Sequence, residues 1–334
     1  MINEGVSGKR VFVTGADGFI GSHLVDLLVK KGAQVRALVY YNSWNEIGWL
    51  KDLPDSILSS IDIERGDVRD AEFVREAVKD AEYVFHLASL IAIPYSYQAA
   101  RSYVDTNVTG ALNVLNACRN SDAFSRLVHV STSEVYGSAQ TVPISESHPL
   151  VGQSPYSASK IGADKIAESF FLSFGLPVVT ARPFNTYGPR QTARAVIPTI
   201  ASQLASGKRS IKLGSLVPTR DFNYVTDTVS GMLALGLCPA AEGKVVNIGS
   251  GEEWSIAQTA ELLCEIAGHE VEIVTDEDRI RPEKSEVNRL LADNQLIQTL
   301  TDWQSRISFK DGLTATYRWI QQNPSYFDAD RYSI

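Results

Sequence analysis

An α/β fold, with a doubly wound parallel sheet and a smaller mixed C-terminal lobe, is what three features of the 334-residue sequence predict. Up to about residue 182, short apolar runs alternate with segments of helical period. Those runs are almost continuously apolar, as strands must be when helices cover both faces of their sheet. After Pro183 the rhythm changes to short, scattered strands, which suits a second lobe closing over the sheet.

In chain order, the expected strands of the first part are Arg10–Thr14, Gln34–Val39, Ile61–Arg65, Tyr83–Leu87, Arg126–Ser131 and Pro177–Ala181. Helices between them begin near Phe19, Ala71, Tyr97 and Tyr156. In the second part the strands are Ile211–Leu213, Phe222–Val225, Val245–Ile248 and Val271–Ile273. Helices there are placed near Ile256–Ala267 and Lys310–Gln321. The division is 1–182 and 183–334, with some later segments returning to the first domain. In such a sheet, ligands gather beyond the carboxyl ends of the strands.

Bulk properties exclude several classes. Hydrophobic residues make up 44% of the chain, enough for a large core, and the net charge of −8 disfavours a nucleic-acid surface. No run approaches the roughly 20 apolar residues that span a bilayer, and the first residues lack the basic flank and apolar run of a secretory signal. Cys118, Cys238 and Cys264 read as reduced core residues of a cytoplasmic protein. The five histidines show no metal-ligand spacing, so no metal is expected.

The first strand runs directly into Gly15-Ala16-Asp17-Gly18-Phe19-Ile20-Gly21. A strand, a glycine loop and a helix start together offer free N–H groups and the helix dipole to a pyrophosphate, the Rossmann-type arrangement for a dinucleotide. Gly15 serves the tight turn, Gly18 the approach of phosphate and Gly21 the packing of helix on strand. At the end of the second strand, where an acid usually holds the ribose, the sequence reads Tyr40-Tyr41-Asn42. Asn42 could bond a ribose hydroxyl, and Tyr40 or Tyr41 could pack on adenine. No cation stands there for a 2′-phosphate, which favours NAD over NADP. Asp67, before Val68, suits either an adenine-edge contact or a helix N-cap.

Ser131-Thr132-Ser133-Glu134-Val135-Tyr136-Gly137 follows the fifth strand. Further on, Tyr156 and Lys160 stand four residues apart on an expected helix, so phenol and ammonium share one face. The lysine charge should favour phenolate, making Tyr156 a base for an alcohol that loses hydride, with Thr132 bonding the same alcohol. Ser89, after the fourth strand, is a candidate sugar contact, and Arg194, Arg220 and Arg281 are candidate diphosphate ligands.

With these residues in view, the chain resembles extended short-chain dehydrogenases/reductases that act on nucleotide sugars. The resemblance runs from about residue 8 to the C-terminal region. It rests on the glycine loop, His86-Leu87-Ala88, Ser131–Gly137, Tyr156/Lys160 and Arg182-Pro183-Phe184-Asn185-Thr186-Tyr187-Gly188-Pro189. It implies cofactor contacts from Leu87, Ala88 and Pro183, substrate contacts from Asn185, Arg220 and Arg281, and a homodimer formed through a four-helix bundle. It also implies oxidation at the sugar C4, shared by epimerases, decarboxylases and 4,6-dehydratases. Glu134 argues against simple epimerisation, while decarboxylases also resemble Thr-Ser-Glu; in a dehydratase it would be the base for C5, with Ser133 orienting the C6 oxygen. Thr132-Ser133-Glu134 is similar to the GDP-mannose type; the dTDP-glucose type carries Asp where Ser133 stands. Tyr41-Asn42-Ser43, Tyr187-Gly188-Pro189-Arg190-Gln191, Ala193–Pro198 and Arg281–Val287 are similar to the 4,6-dehydratases of the legionaminic-acid pathway, which act on GDP- or UDP-N-acetylglucosamine.

Overall fold

The computed structural model describes residues 5–279 and 286–329. Seven strands form one wholly parallel sheet: β1 (Arg10–Thr14), β2 (Gln34–Tyr40), β3 (Asp62–Gly66), β4 (Tyr83–His86), β5 (Arg126–Val130), β6 (Val178–Pro183) and β7 (Val245–Ile248). Their spatial order is β7-β6-β5-β4-β1-β2-β3. The order reverses between β1 and β4, so a crevice opens where their carboxyl ends diverge.

Both faces are covered. Helices α1 (Phe19–Lys30) and α6 (Val225–Gly236) bury Leu24, Val25, Leu28, Val229, Met232 and Leu233 on one side. On the other side α2 (Ala71–Val78), α3 (Gly110–Arg119) and α4 (Pro155–Phe174) contribute Val74, Val114, Leu115, Ala167 and Phe170. Helix α4 starts at a capping box, in which Ser154 and Ser157 satisfy each other's backbone N–H, with Pro155 in the first turn.

A third core lies in the later part, between α5 (Val196–Ala205), α7 (Ile256–Ala267) and α9 (Phe309–Gln322). Small sheets surround it: Asn185–Tyr187 pairs with Phe222–Tyr224, and Ser210–Leu213 pairs with Glu272–Thr275. Segments from this part return to the main sheet. β7 extends its edge, α6 covers one face, and α8 (Gln295–Thr301) packs on both. Trp49, Trp319 and Tyr326 form an aromatic cluster that joins the first domain to α9, with Trp49 edge-on to both partners at 5.6 and 4.8 Å.

The main strands lie within a residue or two of expectation, and β6 runs on through Pro183. Of the helices named above, α5, α6 and α8 were not expected from the sequence. In α6, ten of twelve residues are buried, so no polar face marks the helical period, and Val225 opens this helix rather than closing a strand. The helix expected near Tyr97 is broken into Ile93–Gln98, Ala100–Tyr103 and a π-helical turn at Val104–Thr109 that runs into α3.

Candidate active site

Gly15 holds φ +67, and a Cβ there would lie 2.8 Å from the Ala88 nitrogen. At Gly21 a Cβ would stand 2.0 Å from the Gly15 carbonyl oxygen. The loop is therefore drawn tight against the end of β4 and can carry no side chain at either position. Gly18 caps α1 with no side-chain bond, which leaves the first N–H groups of Phe19 and Ile20 open to an anion. Asp17 turns back to accept the Tyr40 N–H at 3.3 Å, and burial pushes its carboxyl upward.

Thr14, not singled out from sequence, ties this corner together. Its Oγ1 accepts the N–H groups of Leu87 and Ala88, both at 3.1 Å, and lies 2.8 Å from His86 Nδ1. With both lone pairs taken, the hydroxyl proton goes to Nδ1, so His86 carries its own proton on Nε2. Burial holds His86 neutral, well below the usual histidine range.

At the end of β2 the side chains do not all match expectation. The Asn42 amide is spent on its own loop: it donates to the carbonyls of Tyr40 and Glu46 and accepts from the N–H groups of Trp44 and Glu46. It is a loop lock, where a ribose contact was expected. Tyr41 is exposed beside it. Asp67 does not cap a helix, because Asp70 takes that role by accepting from Glu72 and Phe73. The Asp67 carboxylate instead chelates Arg69, whose side-chain hydrogen bonds hold it below the usual carboxylate range. Arg69 also reaches the Tyr40 hydroxyl at 3.4 Å, so a cation does approach this corner, already partnered by Asp67. Val68 is buried beneath Gly110.

The catalytic candidates converge. Thr132 begins a single turn, Ser133–Tyr136, and accepts the Glu134 N–H at 3.2 Å. Tyr156 hydrogen-bonds the Thr132 hydroxyl, and the Glu134 carboxylate is near enough for its charge to act on the phenol. Ser133 is buried in the same turn. Lys160 is enclosed and donates to the Val130 carbonyl at 2.7 Å. Burial lowers its ammonium to about 8, opposed by Asp164. Burial also raises the Tyr156 phenol, chiefly by desolvation. In this chain by itself the phenol thus moves upward, opposite to the expected direction, because burial of the ring outweighs the hydrogen bond with Thr132.

Asn107, in the π-helical turn, accepts the Leu90 N–H at 2.8 Å and donates to Leu90 O and Ser159 Oγ. It joins the loop holding Ser89 to the helix carrying Tyr156. Such one-turn π insertions re-aim side chains at working sites.

Around the crevice, Asn185, two residues after Pro183, keeps a buried side-chain oxygen with no partner among the described residues. Arg220 is buried and pairs with Glu286 at 3.3 Å. Arg194 is exposed, and its charge acts on Tyr103, whose ring lies 6.2 Å from that of Tyr156. Arg281 lies outside the described residues. Among the described residues no group of three side chains could hold a metal, and no helix is long and apolar enough to cross a membrane.

The cradle fits a dinucleotide: a side-chain-free loop, an uncapped helix start, and a strand end drawn up against both. Comparison with known proteins agrees. The GDP-mannose 4,6 dehydratase family matches residues 12–316. A dTDP-glucose 4,6-dehydratase from Streptomyces griseus is 34% identical over 96% of this chain and 96% of its own. DesIV, the dTDP-glucose 4,6-dehydratase of Streptomyces venezuelae, was solved with NAD bound. It superposes with a TM-score of 0.83 at 29% identity, covering 96% of this chain and 99% of that one. The UDP-glucuronic acid 4-epimerase of Bacillus cereus gives 0.86 at 27%, covering 94% and 99%.

Proposed function

The chain belongs to the GDP-mannose 4,6-dehydratase family, and we propose that it removes water from GDP- or UDP-N-acetylglucosamine to give the 4-keto-6-deoxy sugar. At the coarser level it is an NAD-dependent nucleotide-sugar 4,6-dehydratase. The observation that carries the reading is Glu134, on the same turn as Thr132 and close enough to Tyr156 for their charges to interact. An epimerase needs the Tyr156 and Thr132 pair but no second base; elimination across C5 and C6 needs one.

NAD would be held by the Gly15–Gly21 loop with Asp17, by Tyr41 and the main chain of the loop that the Asn42 amide locks at one end, by Asp67, Val68, Leu87 and Ala88 along the crevice, and by Pro183, Tyr156 and Lys160 at the other. When bound it accepts the C4 hydride and later returns it to C6, so no external reductant is consumed. Tyr156 takes the C4 hydroxyl proton, Thr132 fixes the angle of that hydroxyl, and Lys160 offsets the charge left on the phenol. Glu134 takes the C5 proton and passes it to the departing C6 oxygen, which Ser133 orients; as C6 receives the hydride, C5 regains a proton, balanced by the one Tyr156 took from the C4 hydroxyl. Ser89 and Asn185 meet the sugar, and Arg194, Arg220 and Arg281 the diphosphate. Residues 1–182 thus serve mainly the cofactor and 183–334 mainly the substrate. The helices at 93–119 and α4, which leave Val104 and Leu172 exposed, pair in a homodimer, to be read by light scattering.

The substrate is supported by Ser133, where dTDP-glucose enzymes carry Asp, and by the segments similar to the legionaminic-acid enzymes. Mass spectrometry after incubation with GDP- and UDP-N-acetylglucosamine and with dTDP-glucose tests it. Loss of one water from either acetylated donor supports the proposal, and loss from dTDP-glucose alone refutes the assigned sugar. Unchanged masses throughout favour a 4-epimerase, and loss of CO₂ from a uronic-acid donor a decarboxylase. Glu134→Gln should still form NADH from the substrate, read at its absorbance band, while water loss falls by roughly a hundredfold or more.

A further inference from the structure

Behind Lys160 lies a buried polar cluster that the reaction above does not use. Tyr156, Lys160 and Asp164 follow one another at four-residue intervals along a single face of α4. The Asp164 carboxylate accepts from Arg182 Nη2 at 2.8 Å and Nε at 3.2 Å, from Ser131 Oγ at 2.8 Å and from His129 Nε2 at 3.2 Å. Arg182 in turn donates to the Tyr136 hydroxyl at 3.1 Å and stacks over its ring at 4.9 Å. The Tyr136 hydroxyl itself donates to Asn247 Oδ1 at 2.7 Å. Asp164 and Arg182 are each only 3% exposed.

Ser131 and Tyr136 are the two ends of the segment that carries Thr132, Ser133 and Glu134. One ion pair therefore grips that segment at both ends, Asp164 at its start and Arg182 at its finish. The same Asp164 lies one helical turn from Lys160. We propose that the Asp164–Arg182 pair is the positioning device of this active site, fixing the Thr132–Glu134 turn against the face of α4 that carries Tyr156 and Lys160. Neither residue touches the reacting atoms; both act through the turn and the lysine.

The electrostatics agree with the geometry. Tyr156 and Asp164 share the helix face of Lys160, and His86 on β4 and His129 on β5 are near enough for the ammonium charge to act on them. Both histidines are held below their usual range by burial, so Asp164 is the carboxylate that opposes the desolvation of Lys160. Burial pushes the Asp164 carboxyl up, but His129, Arg182 and Lys160 outweigh this and keep it ionised. Replacing one partner of such a network leaves the other charge stranded, so its effect should exceed that of a single hydrogen bond.

The inference rests on the proposed roles of Tyr156, Lys160 and Glu134, and the test separates the two. The full-length enzyme with NAD is prepared as wild type, Asp164→Asn, Ser131→Ala and Tyr156→Phe. Turnover of GDP- and UDP-N-acetylglucosamine and dTDP-glucose is followed against pH, and hydrogen exchange of the peptide covering 131–137 is measured alongside. Asp164→Asn should lose roughly tenfold or more in kcat, with KM within about twofold, and its basic limb should move to lower pH, each unit being tenfold in the charged lysine. Ser131→Ala, which keeps the ion pair, should leave that limb in place but speed exchange across 131–137. A folded Asp164→Asn enzyme with an unmoved limb and wild-type exchange overturns the inference, as does one that merely melts earlier. Should Asp164→Asn not fold, unchanged exchange and kcat in Ser131→Ala overturn it. Full activity in Tyr156→Phe sinks the proposed function instead, and exchange still reports on the clamp if no donor is turned over.

Discussion

Lys160 shows how a buried cation sets the working range of a site. Burial draws its ammonium down to about 8, against the pull of Asp164. The protonated form is the one that supports the Tyr156 phenolate, so raising the pH through that value removes the support. The kcat/KM profile should therefore fall on the alkaline side near pH 8, where an unperturbed lysine would hold it flat to about 10. A plateau extending past pH 10 in steady-state rates would contradict this. At this scale much of the site was legible: Thr132, Ser133, Glu134, Tyr156 and Lys160 stand in short motifs whose spacing carries their geometry. Thr14, Asn107 and the Asp164–Arg182 pair were not. Each acts on a partner that the fold, and not the chain, brings near: Thr14 on Ala88, Asn107 on Ser159, Arg182 on Tyr136. The Asn42 amide, by contrast, finds its partners locally, four hydrogen bonds within four residues of itself.

Among the elements, the strand–loop–helix unit of β1 and α1 leaves no room for added side chains at Gly15 and Gly21. Gly21→Ala puts a methyl group 2.0 Å from the Gly15 oxygen, so loop and helix must part. Overpacking of this kind costs about 1–3 kcal/mol, and here the displaced atoms are those offered to the pyrophosphate. Isothermal titration with NAD should show weaker binding, and urea melts a loss of that order; an unchanged affinity would mean the loop is not the cradle. The main strands could be read because burial on both faces writes them as unbroken apolar runs. The same total burial hid α6, whose sequence carries no polar stripe to betray the helical period. The π-helical turn at Val104–Thr109 was invisible for another reason: one extra residue in a turn leaves no mark on composition.

Over the whole molecule, the two parts meet where His23 of α1 is held against the loop that follows β6. Its Nε2 lies 3.0 Å from the Pro189 carbonyl and its Nδ1 3.3 Å from Arg190 Nη2, so the ring bridges them as the neutral Nε2–H form. Burial, and then the Arg190 charge, lower its pKa to about 4 from 6.5. A depressed folded value means that the unfolded chain takes up the proton first. The stability this group provides is present above pH 6.5 and is lost as the pH falls toward 4. That difference is worth roughly 3 kcal/mol. Urea melts at pH 7 and pH 4 should show His23→Gln losing less stability than wild type over that interval by about this amount; equal losses would place the acid sensitivity elsewhere. Distance in the chain explains why this contact was hidden, since His23 and Arg190 are 167 residues apart. The aromatic cluster of Trp49, Trp319 and Tyr326 spans the same divide, and the Trp49 amide is itself bonded to the Asp17 carbonyl at 2.9 Å. An indole thus hangs directly from the glycine loop with a second indole pressed against it from the far end of the chain, so tryptophan emission should shift when NAD is added, and an unchanged spectrum at saturating NAD would show the two to be uncoupled.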